Sequence, residues 1–180
     1  LEWGRSDWDP YARTKKFGEH LVSEVLGDAP TVIFRPSIIL GDSRFPETTQ
    51  FDMVRAFVAL ASLPVLPFSG EARLDIVPVD FVANAISSVV RTGAPKHAVY
   101  NLTAGTSSPT FREISEVMAR ELGRRLPVFL PAIGSSCALG VKLVSRLRVP
   151  ALAPVSHGAA LMDVFWPYLK WDVVFKNDRI

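Results

Sequence analysis

The chain has 180 residues, 48% of them hydrophobic, and twenty Lys and Arg stand against eighteen Asp and Glu for a formal charge of +2. That is enough apolar material for a buried core and too much for a disordered tail, and the small, scattered charge leaves no electrostatic footprint for nucleic acid. A lone cysteine, Cys137, and dispersed histidines, His20, His97 and His157, give neither an internal disulfide nor a metal site, so a soluble chain in a reducing, cytoplasmic setting is expected.

Leu1 to Pro10 reads as the middle of a loop approaching a helix, and with Leu and not Met in first place the chain is expected to begin inside a longer protein. Asp9 can cap a helix and Pro10 can take its first position, which predicts a helix from there to about Leu26 with Gly27 as its stop. Phe17, Leu21, Val22 and Val25 share one face of it. Thr31 to Leu40 is a β-branched, nearly continuous apolar run, the pattern of a strand buried on both faces of a parallel sheet. Pro36 is expected to end that strand's hydrogen bonding and turn the chain outward.

Residues 41–50 read as loop, and Phe51 to Leu63 has helical periodicity that Leu63-Pro-Val-Leu-Pro67 breaks. Asp80 is expected to cap a helix reaching about Arg91, with Phe81, Ala85, Ile86, Val89 and Val90 available for packing. Ala98 to Thr103 reads as a strand. Thr110 followed three residues later by Glu113 is a capping box, opening a helix through Met118 to Leu122 that stops at Gly123. Pro127 to Pro131 is a short strand between prolines.

Residues 130–169 are rich in Leu, Val and Ala and hold the cluster Phe165-Trp166-Pro167-Tyr168; they are expected to form an apolar lid. Lys142, Arg146 and Arg148 interrupt that stretch, so it holds no uncharged run of membrane-spanning length, and membrane contact is not expected. Helices alternating with buried strands predict an α/β fold with a mainly parallel sheet. The glycine-rich dinucleotide loop that often opens such a sheet does not occur in these residues.

Tyr11-Ala-Arg-Thr-Lys15 sets a phenol and an ammonium four residues apart, hence on one helical face about a turn apart. A free phenol is a poor acid at neutral pH, and a neighbouring positive charge stabilises its phenolate. Such a phenol can give a proton to a carbonyl oxygen as hydride reaches the carbon. The spacing occurs by chance in many helices, where it means only a cation beside an aromatic edge. Its weight comes from the segments C-terminal to it: the remainder of the helix, a buried strand, Arg35-Pro-Ser-Ile-Ile-Leu-Gly-Asp42, then Arg73-Leu-Asp-Ile-Val-Pro-Val-Asp80 leading into another helix.

That order resembles the extended short-chain dehydrogenase/reductases, from Tyr11 through about Gly105. Arg35 to Asp42, Asp75 to Ala85 and the closing Trp171 to Arg179 are most similar to the branch of fatty acyl-CoA reductases, male-sterility proteins and thioester reductases. The resemblance implies the latter part of a Rossmann-type sheet with a smaller, mainly helical substrate lobe. Residues 1–105 would belong to the nucleotide-binding domain, with 43–72 reaching into the lobe, and 106–180 would build the lobe.

It further implies that Tyr11 is the general acid, that Lys15 assists it and binds the nicotinamide ribose, and that Pro36, Ser37 and Ile38 lie against the nicotinamide ring. Pro36 also reads as a plain strand terminator. The cofactor would be NADP, with NAD as the alternative, and the substrate a small-molecule or carrier-bound acyl group reduced at its carbonyl. In this family the glycine-rich loop and a catalytic Ser or Thr precede the tyrosine. The missing N-terminal half of the same protein is therefore the expected partner, and the serine role is left unfilled, Ser6 lying close to Tyr11 in sequence. Arg73 occupies the place of a phosphate-contacting arginine, although a surface salt bridge suits it as well. Asp75 is expected to brace a turn. The rival readings are a nucleotide-sugar epimerase or dehydratase, which uses the same pair, and a noncatalytic binding fragment.

Overall fold

Pro10, at a position where a missing N–H costs nothing, begins helix α1 (Pro10–Leu26), and Gly27, at φ +34°, ends it. The computed structural model describes residues 10–45, 47, 54, 58, 63–145 and 173–180. Asp9, Ser6, His157, nearly all of the predicted Phe51–Leu63 helix and most of the predicted lid lie outside them; Val54 and Val58 are described, and both are helical.

After α1 come the strands β1 (Ile33–Pro36), β2 (Ile38–Ile39), β3 (Val65–Leu66) and β4 (Ile76–Val77). Helix α2 (Val79–Arg91), strand β5 (Val99–Leu102), a 3₁₀ turn at Gly105–Ser107 and helix α3 (Phe111–Glu121) come next. Strand β6 (Val128–Phe129), a second 3₁₀ turn at Pro131–Ile133 and helix α4 (Gly134–Ser145) complete the described order. The strands form three parallel pairs, β1 with β5, β2 with β4 and β3 with β6, in register Ile33↔Val99, Ile38↔Ile76 and Val65↔Val128. Parallel strands joined through helices make this an α/β fold, as the alternation of patterns predicts.

Two apolar clusters form the core. One gathers Val77, Val82, Ala85, Tyr100 and Leu102, so that α2 closes over β4 and β5, and Phe34 stacks on Tyr100 with ring centroids 5.8 Å apart. The other gathers Leu66, Phe68, Ala72, Leu74 and Phe111, where the Phe68 and Phe111 rings lie 4.7 Å apart, and β3 meets α3. Thr110 and Glu113 make the predicted capping box: the Glu113 N–H donates to the threonine hydroxyl at 3.2 Å, and the Thr110 N–H donates to the glutamate at 2.7 Å.

Three expectations change. Pro36 does end β1, but the chain does not turn outward: Ser37 N–H still donates to Leu102 at 3.1 Å, and the strand resumes at Ile38 against β4. Proline removes one donor, and beyond it β4 takes over from β5 as the neighbour. The strand is also not buried on both faces, for Ile33 and Phe34 are half-buried while Arg35 and Pro36 are exposed. Finally, Asp80 does not cap α2. Pro78 occupies the N-cap without a side-chain bond, and Asp80, already inside the first turn, reaches to Ser43.

Candidate functional site

Helix α1 carries the predicted pair on its first two turns. The Lys15 ammonium lies over the Tyr11 ring, 5.3 Å from its centroid, as the four-residue spacing requires, and Tyr11 is 68% exposed. Thr14 donates its hydroxyl to the Tyr11 carbonyl at 2.7 Å, adding a local tie within the same turn.

The next residue on that face is Glu19, one turn beyond Lys15, and it grips Arg35 of β1 through a two-pronged ion pair with Nε to Oε1 at 2.8 Å. The arginine holds the Glu19 carboxyl below its ordinary range, and the carboxylate raises the guanidinium in turn. The pair joins the face bearing Tyr11 and Lys15 to the carboxyl end of β1. Tyr11 stands about 12 Å from Glu19 along the helix axis.

At that strand end the chain changes neighbours. Ser37 N–H donates to the Leu102 carbonyl of β5 at 3.1 Å, and Ile38 N–H donates to the Asp75 carbonyl just before β4 at 3.2 Å. The Ser37 hydroxyl at this junction is buried and has no hydrogen-bond partner. An orphaned hydroxyl where parallel strands end fits a polar ligand group, such as the carboxamide of a nicotinamide. Pro36, Ser37 and Ile38, consecutive in the chain, span the break between β1 and β2, on the strand to which Glu19 ties the helix bearing Tyr11 and Lys15.

Above β2 a second polar knot fixes the loop. Ser43 donates its N–H at 2.9 Å and its hydroxyl to Asp80, and Arg44 donates to Asp42 through Nη2 at 2.8 Å and through Nε. These bonds hold both carboxyls low, Asp42 at about 2 through Arg44 and Asp80 below its ordinary value through Ser43. A carboxyl depressed on folding contributes stability above its unfolded pKa and loses it as pH falls through the folded one. The loop is therefore expected to stay knotted at pH 5 and to open as pH drops from the ordinary aspartate value of 3.8 toward about 2. A titration of the Asp42 and Asp80 carboxyl carbons by NMR checks this; midpoints near 4 would contradict it.

Arg73 lies two residues before Asp75, whose carbonyl accepts the Ile38 N–H. It bridges Thr110 in antiparallel fashion and donates Nη1 to the Ser108 carbonyl at 2.5 Å, an anchoring duty toward the turn before α3. Asp75, expected as a turn brace, does more than that: its carboxylate accepts the Ala104 N–H at 2.8 Å and faces the Gly105 N–H at 3.4 Å. No local sequence pattern announces this, since the partners lie far along the chain. Among the described residues no helix is long and apolar enough to cross a membrane.

The family described as male sterility protein matches residues 5–86. From Arabidopsis thaliana, putative fatty acyl-CoA reductase 7 is 28% identical over 151 residues, covering 78% of this chain and 36% of that protein. The chloroplastic fatty acyl-CoA reductase 2 is 28% identical over 134 residues, covering 66% of this chain and 22% of its own length. Probable fatty acyl-CoA reductase 5 is 30% identical over 120 residues, covering 61% and 24%. The chain thus spans between 22% and 36% of the length of these relatives. Among solved structures, a UDP-N-acetylglucosamine 4-epimerase from Methanobrevibacter ruminantium M1 aligns over 67% of this chain and 40% of its own, at 22% identity and a TM-score of 0.43. Residues 5–86 are thus similar to the male sterility protein family, and the chain as a whole is similar to fatty acyl-CoA reductases.

Proposed function

We propose that this chain is the latter part of an NADPH-dependent reductase that acts on the carbonyl of an acyl thioester and yields an aldehyde. The observation that carries the proposal is the Lys15 ammonium over the Tyr11 ring, on the helical face that Glu19 and Arg35 tie to the end of β1. Bound coenzyme supplies hydride to the carbonyl carbon. Tyr11 gives its proton to the carbonyl oxygen as negative charge grows there, and Lys15 stabilises the phenolate left behind while its remaining donors can reach ribose hydroxyls. Ser37 offers its unpartnered hydroxyl to the nicotinamide end of the coenzyme, and Pro36 and Ile38 flank it. The tetrahedral product then expels the thiol, giving aldehyde.

An acyl substrate is favoured by the apolar surface of the C-terminal part, where Leu130, Ile133, Leu139 and Leu143 are exposed. A cofactor-binding partner half is favoured by the other side of the molecule. The apolar face of α1 is open, with Phe17 51% and Val25 76% exposed, and among the described residues β1 pairs with β5 alone. Both features suit a neighbouring strand and helix supplied by the preceding half of the same protein, which would also bring the glycine-rich loop. The two core clusters, one on β4, β5 and α2 and one on β3 and α3, support the division into a nucleotide-binding part and a lobe.

The test is coenzyme consumption by the full-length protein offered acyl-CoA or acyl-carrier substrates. NADPH oxidation with thioesters is expected, with NADH as the comparison that decides between coenzymes. Turnover of a nucleotide sugar with no net consumption of coenzyme would replace the proposal by the epimerase reading.

A further inference from the structure

Asp75 is the hub of the junction at which β1 gives way to β2. Its backbone carbonyl takes the Ile38 N–H at 3.2 Å, and its carboxylate takes the N–H of Ala104 at 2.8 Å, with that of Gly105 at 3.4 Å. One residue therefore joins the start of β4, the restart of the broken strand, and the turn that leaves β5. The same turn is held from its other side by the C-terminal segment. Asn177 donates Nδ2 to the Thr103 carbonyl at 3.0 Å, the Thr103 hydroxyl donates to the Phe175 carbonyl at 3.3 Å, and Asn101 donates to the Lys176 carbonyl at 3.2 Å. Gly105, at φ +60°, suits this turn, and a Cβ there would stand 2.9 Å from the Asn177 amide oxygen and displace that side chain.

Beside Ile38 in the chain is Ser37, whose N–H is spent on Leu102 while its hydroxyl is buried without a partner. A charged acceptor that makes short bonds to backbone N–H groups is a stiff tie, stronger than a neutral pair. Without it, the Ala104 and Gly105 N–H groups lose their acceptor, and the strand that β4 and β5 both border and the cluster holding Val77 and Leu102 are left to join them at this level. The orphaned hydroxyl would then lose the fixed surroundings that keep it aimed and dry.

We infer that Asp75 is a positioning residue: it clasps the ends of β4 and β5 together and so holds Ser37 and Ile38 in place for the nicotinamide end of the coenzyme. The inference rests on the reductase reading, and it adds a residue that reaches the coenzyme only through others. Asp75 touches neither the Tyr11–Lys15 pair nor the reacting carbonyl in this scheme.

The experiment compares Asp75→Ala and Asp75→Asn in the full-length protein, read by amide hydrogen exchange of the coenzyme-free form, by fluorescence titration with NADPH and by steady-state kinetics. Asp75→Ala is expected to speed exchange at residues 36–40 and 103–105 while the α2 amides keep their protection. It is also expected to raise the Kd for NADPH roughly ten-fold, the cost of losing a charge-assisted tie. The KM for the thioester should stay put while that for NADPH rises. Asparagine keeps one acceptor oxygen for the closer Ala104 N–H, so Asp75→Asn should recover most of the affinity. Faster exchange spread evenly over the whole chain, with NADPH affinity unchanged, would mean a purely structural residue and overturn the inference. Wild-type protein that binds NADPH while Asp75→Ala binds it equally well overturns the inference alone. Wild-type protein that does not bind NADPH overturns the reductase reading, and the inference with it.

Discussion

Replacing Tyr11 by Phe in the full-length protein is expected to lower kcat by about 10²- to 10⁴-fold, the usual worth of a positioned proton donor, with little change in thermal stability. The stability half stems from the surroundings. Tyr11 is 68% exposed on the first turn of α1, so its ring buries little, and it lies outside both core clusters. The rate half stems from chemistry: as hydride arrives, charge builds on the carbonyl oxygen, and phenylalanine has no proton to give. On the same proposal Lys15→Met should also lower the rate while leaving the phenol in place, since it removes the ammonium that lies 5.3 Å from the ring centroid. A Tyr11→Phe enzyme that keeps most of its rate, measured by NADPH absorbance at saturating thioester, would remove this residue from the mechanism.

The second large effect is one of stability. Leu102 is 0% exposed, ends β5 in register with Pro36, and packs with Val77, Val82, Ala85 and Tyr100 under α2. Leu102→Ala deletes buried methyl groups from a site whose neighbours are held by two parallel ladders and cannot collapse freely. It is expected to cost about 2–5 kcal/mol in urea unfolding. Val25→Ala is the control. Val25 projects from α1 at 76% exposure, and its loss from this chain should cost less than about 0.5 kcal/mol. Equal losses at the two positions would contradict the placement of the core between α2 and the strands.

The features legible from sequence are those whose physics is local. Pro10 and Gly27 bracket α1, and Thr110 with Glu113 opens α3, because each signal and the group it satisfies lie within a turn of one another. The Tyr11–Lys15 contact is of the same kind, since helical geometry alone dictates it. Strands β3 and β4 left no such mark. Each is two residues long and exists because of a remote partner, Val65 with Val128 and Ile76 with Ile38, so neither has a period to read. Helix α4 begins on Gly134-Ser-Ser, residues that favour turns and caps over helix interiors, and its sequence announces no start.

Asp80 shows how a local rule can be overruled. Aspartate before an apolar helical run is a good cap, but Pro78 already holds the N-cap, and the loop at Ser43 offers the carboxylate an N–H and an O–H together. The ties that assemble the site were beyond local patterns for the same reason. Arg35 finds Glu19 across the link from α1 to β1, and Asp75 finds Ala104 across the whole of α2. The residue pattern supplied the chemistry of the pair; the fold added its attachment to the strand end where Ser37 lies.

The central claim is net carbonyl reduction at this site, and the most direct measurement tracks the hydride itself. The full-length protein is supplied with NADPH deuterated at C4, on each face in turn, together with an acyl-CoA, and the products are read by mass spectrometry. Reduction predicts deuterium at C1 of an aldehyde or alcohol from one of the two labelled forms, with release of free CoA in step with NADPH loss. Intact acyl-CoA and unconsumed label from both forms would contradict the account.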